Sequence, residues 1–137
     1  MTATPPAVAA LTAAVDLIEE SYEYMLAYAA QGFEKDADCH GPSIRDCLTR
    51  LERAAGELEA LAYPILGATN PGFVHVLVSD ANATGATLKL VLSSPAISSL
   101  LVDNLNGNVH LRALLTDLFV VDEYLKIAYG GAGDTAG

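Results

Sequence analysis

Apolar positions in this chain recur at alternating steps of four and three residues. The clearest example lies at 11–31, where Leu11, Val15, Ile18, Tyr22, Met25 and Ala29 form one stripe. That spacing predicts a helix packing one face against other helices. Pro5 and Pro6 suit its entrance, where a missing N–H costs nothing, and Gly32 suits its C-terminal cap. The polar stretch 33–43 contains a Gly-Pro pair and predicts a loop, with Gly41 or Ser43 capping the next helix.

The stripe repeats at 44–63 through Ile44, Leu48, Leu51, Ala55, Leu58 and Ala62. Pro64 is expected to end or kink this second helix. Asn70 and Pro71 then read as the N-cap and first position of a third. The segment 73–94 supports two readings. Its β-branched content and local alternation fit two strands at 73–78 and 86–92. Phe73, Leu77, Ala81, Thr84, Leu88 and Val91 stay near helical spacing instead. An isolated hairpin is marginal and nothing else in the chain extends a sheet, so the helix is the expectation. Pro95 breaks the chain again, a short helical piece follows at 96–104, and the Asn- and Gly-rich 104–108 marks a turn. The last helix, 109–129, is apolar on more than one face. The expected fold is all-α: an antiparallel four-helix bundle over 1–129, its last segment broken near Gly107. A disordered Gly-rich tail is expected at 130–137.

Composition narrows the function classes. A chain of 137 residues is long enough for one ordinary domain. Seventeen acids against seven bases give a formal charge of −10, which repels phosphate backbones and anionic lipid. Neither nucleic acid nor a membrane is therefore expected as a partner. No Lys or Arg precedes the first apolar run, as a secretory signal requires, and no uncharged apolar run reaches roughly 18–20 residues. The expectation is a cytoplasmic protein with Cys39 and Cys47 reduced.

Four acids on the first helix, Asp16, Glu19, Glu20 and Glu23, have no basic neighbour on that helix; Arg45, Arg50 and Arg53 on the second are expected to approach them. A metal reading would use Glu19 and Glu23, or Cys39, His40 and Cys47 with zinc or a transition metal. Its support is thin. The residues three before His40, His75 and His110 are Ala37, Gly72 and Gly107, so the Glu-x-x-His pair of carboxylate-bridged bundles is absent. The Cys and His spacing also fits no common zinc knuckle. No nucleophile elbow or phosphate-cradling glycine loop occurs.

Tyr24 and Tyr28 flank the first helix's seam, and Phe119, Val120 and Tyr124 lie on the last helix. These aromatic and apolar residues are the expected interface. Polar residues near the seams of the third and last helices, Asp80, Thr84, Asn108 and Asp122, are the expected lining of a small pocket. The leading expectation is a non-catalytic module that self-associates or docks on a protein partner, with no cofactor. A metal-binding or redox bundle and a small-ligand bundle are the alternatives.

Overall fold

Local sequence fixes most of the helix boundaries. The computed structural model describes residues 5–130, and within them the chain is all-helical with no strand. Helix α1 spans Pro6–Ala29, with proline at its first position. Gly32, just beyond it, has a φ of 73°, a left-handed conformation that glycine adopts without a Cβ penalty. Helix α2 spans Ile44–Leu66, and the Ser43 hydroxyl caps it by accepting the Asp46 N–H at 3.2 Å.

Helix α2 runs through Pro64, so the expected end at 63 is corrected. Proline this close to a C-terminus removes a single N–H, and the Gly67 N–H still reaches the Tyr63 carbonyl at 2.8 Å. A Cβ on Gly67 would lie 2.7 Å from the Tyr63 ring, so the turn after α2 needs glycine.

Helix α3 spans Pro71–Leu92 without interruption, which overturns the hairpin alternative at 73–92. Its buried stripe, Val74, Leu77, Ala81, Thr84, Leu88 and Val91, keeps helical spacing from end to end. The β-branched Thr84 and Thr87 donate their hydroxyls to the carbonyls one turn back, at 2.8 and 3.1 Å, and so fit a helix interior. Asn70 holds the N-cap position but does not cap with its side chain, which donates to the Thr69 hydroxyl instead.

Helix α4 spans Ser99–Asn106, beginning later than the expected 96 because Ser98 caps it, accepting the Leu101 N–H. Gly107 closes α4, and Asn108 caps α5, Val109–Leu125, by accepting two backbone N–H groups. A π-helical turn, Lys126–Gly130, extends α5. Residues 1–4 lie outside the described residues, as does the tail expected at 130–137 apart from Gly130, which belongs to that turn.

Helix α1 packs on α2, α2 on α3, α3 on α5, and α5 back on α1, with α4 set against α1 and α5. One apolar core runs through all five. Every predicted seam residue of α2 is buried in it. On α1 the stripe is corrected: Ser21 and Tyr28 are buried, whereas Tyr22 and Ala29 are only half-buried. A straight helix turns every 3.6 residues, so a strict four-three rule drifts by about 20° per heptad. Two successive steps of three, Val15 to Ile18 to Ser21, carry the buried stripe further round in the same direction, away from Tyr22 and Ala29 and onto Tyr28.

Candidate interaction surface

The apolar excess of α5 divides into an inner and an outer face. Leu111, Leu114, Leu115, Leu118, Val121 and Leu125 are buried. Phe119, Val120 and Tyr124 are 54, 57 and 43% exposed, which is unusual for large apolar side chains grouped on one helix. Beside them, a hollow of about 190 Å³ opens between the end of α2, the start of α3 and α5. Leu66, Phe73, Val121 and Tyr124 give it largely apolar walls.

The other two expected interface residues lie elsewhere. Tyr28 is 1% exposed and donates its hydroxyl to the Ile97 carbonyl at 2.6 Å, so it contributes to the core and not to an outer surface. Burial raises its pKa above the ordinary value. Tyr24 is half-buried against the loop before α2, where its hydroxyl donates to the Pro42 carbonyl and lies 3.8 Å from the Cys39 sulfur. Burial, reinforced by the Cys39 contact, pushes its phenol up to about 12. Tyr24, Phe33, Cys39 and Pro42 line a shallow hollow of about 250 Å³ around this contact.

The expected polar pocket is not one cavity. Thr84 is fully buried with its hydroxyl bonded to the Asp80 carbonyl, and Asn108 is occupied as a helix cap. Asp122 pairs with Lys126 at 3.0 Å and lines a separate groove against the N-terminal half of α1. Asp80 faces a residue that sequence reasoning passed over, Asp117 on α5. Burial first, and then the Asp80 carboxyl, raise Asp117 to about 7. One Asp117 oxygen is buried without a partner. A sequence signal for it existed: Asp117 follows Leu114 by three and precedes Val121 by four, a polar residue at seam spacing.

Among the described residues, no three His, Cys, Asp or Glu side chains come together to hold a metal ion. Cys47 is buried under α2 with its thiol directed at the Ser21 carbonyl, and burial raises its pKa. Cys39 is half-exposed at the Tyr24 contact and His40 is exposed, so the expected Cys39, His40 and Cys47 set is not assembled. Glu19 is half-buried, and burial followed by Asp122 and Asp16 raises its pKa; Glu23 is exposed.

Nor do the α2 arginines form ion pairs with the α1 acids among the described residues. Arg45 turns the other way, to Asp36 at 2.8 Å in the 3-10 turn Asp36–Asp38. It also donates to the carbonyls of Leu92 and Ser94. Arg45 and the Ile97 N–H hold the Asp36 carboxyl down at about 2.

Among the described residues, no helix is long and apolar enough to cross a membrane. No protein-family model matches the chain, and neither a curated protein nor a solved structure matches it significantly.

Proposed function

We propose that this chain is a non-catalytic interaction module, an antiparallel four-helix bundle of the cytoplasm that self-associates through the outer face of α5. The observation that carries the reading is the exposure of Phe119, Val120 and Tyr124 side by side on that helix. Charge supports a second copy meeting there. Two chains of net charge −10 repel, so they favour contact where acids are sparse. The outer face of α1 carries Asp16, Glu20 and Glu23, whereas that of α5 carries one acid, Glu123, and one base, Arg112. The neighbouring hollow favours a protein partner over a small ligand. At about 190 Å³ it falls below the roughly 300–1,000 Å³ common for ligand pockets, and suits one inserted side chain.

Sedimentation equilibrium over a wide concentration range tests the proposal. Wild type is expected to be dimeric or larger and Phe119→Asp monomeric, with unchanged helix content. A wild-type protein that stays monomeric throughout the range overturns the reading.

A further inference from the structure

The outer face of α5 has an order that bears on how two copies would meet. Outward along it lie Val109, Arg112, Thr116, Phe119, Val120, Glu123 and, in the π-helical turn, Ile127. All are exposed, Val109 to 68% and Ile127 to 74%. Arg112 and Glu123 stand about three turns apart and within about 20° of each other around the helix. Neither makes an ion pair among the described residues.

Reversed end to end, this pattern complements itself. If a second α5 runs antiparallel and the two cross at the level of 117–118, Val109 meets Ile127 of the other copy. Arg112 then meets Glu123, and Thr116 meets Phe119 and Val120. A two-fold axis makes every such contact twice, as an isologous interface requires. The side chains at the crossing level do not obstruct it, because Leu118 is buried in the core and Asp117 faces Asp80 on α3. A parallel pairing in the same register would set arginine against arginine and glutamate against glutamate, which charge disfavours.

Resting on the self-association reading above, we propose that two copies of this chain pair α5 against α5 in antiparallel register, Arg112 of each facing Glu123 of the other. The apolar residues between and beyond the two ion pairs supply the contact area, and the ion pairs fix direction and register.

Charge reversal tests the arrangement apart from the reading beneath it. Arg112→Glu and Glu123→Arg each create two like-charge contacts, and each is expected to weaken self-association roughly tenfold or more. The double variant R112E/E123R restores opposite charges and is expected to return to within about threefold of wild type. An equimolar mixture of the two single variants should associate more tightly than either alone, because opposite charges then meet at both sites. Circular dichroism checks that each surface variant keeps its helix content. If Phe119→Asp releases monomer but the double variant fails to recover, the antiparallel register is wrong and self-association through α5 stands. If wild type is monomeric, both proposals fall.

Discussion

The Asp36 carboxyl accepts the backbone N–H of Ile97 at 2.9 Å, joining the loop after α1 to the segment that enters α4. Its other oxygen takes the Arg45 Nε at 2.8 Å, and Arg45 reaches on to the carbonyls of Leu92 and Ser94. One acid and one base thus fasten the start of α2 to the end of α3 and to both neighbouring connections. Asp36→Ala is expected to lower stability by about 2 kcal/mol, the scale of losing charge-assisted hydrogen bonds at a partly exposed site. Asp36→Asn keeps an acceptor for Ile97 and should cost less. Urea denaturation of the three proteins checks the order.

Asp36 and Asp117 give stability opposite slopes in pH. Asp36 sits at about 2 when folded, below its ordinary 3.8. Its contribution is present above pH 4 and is lost as pH falls toward 2. Asp117 is raised to about 7, so the folded chain keeps a proton that the unfolded chain releases near 4. That contribution is present below pH 4 and is lost as pH rises toward 7. Asp80 on α3 is the one charged group that shifts it. Thermal melts between pH 2.5 and 8 should therefore peak near pH 4–5. Asp117→Asn should flatten the neutral limb and leave the acid limb in place. An unchanged neutral slope in that variant would show that the paired carboxyls do not control it.

The features legible in the sequence were those that local spacing decides. The seam of α2 could be read residue by residue, because its apolar side chains alternate with charges and admit one inward face. The α3 segment was ambiguous because Thr84 and Thr87 suit strands by propensity. Their hydroxyl bonds to the preceding turn, invisible in a pattern of types, let them sit in a helix. Tyr28 was placed outside because an aromatic flanking the seam usually lies there. The double step of three from Val15 to Ser21 moves the buried stripe round the helix and takes Tyr28 inward, onto Ile97. The contact of Asp36 with Ile97 joins residues 61 apart through two irregular segments, and no periodicity encodes such a pairing. Exposure on α5 was legible, since Phe119, Val120 and Tyr124 lie off the narrower stripe that the core can take.

The two cysteines should differ sharply in reactivity. Thiolate is the attacking form, so exposure and pKa together set the rate. Cys47 is 3% exposed, and its thiol, directed at the Ser21 carbonyl, is pushed up in pKa by burial. Cys39 lies half-exposed at the edge of the Tyr24 hollow. A disulfide reagent added to the native protein should release one equivalent quickly. The second equivalent should appear only at the rate of unfolding, with both reacting at once in denaturant. Cys39→Ser should abolish the fast phase, and Cys47→Ser should leave it intact. Two fast equivalents in native wild type would mean that α2 opens from α1 around Ser21 and Cys47 far more readily than their packing implies. Because Tyr24 covers Cys39, Tyr24→Ala should speed the fast phase and leave the slow one unchanged, which locates each phase at its own thiol.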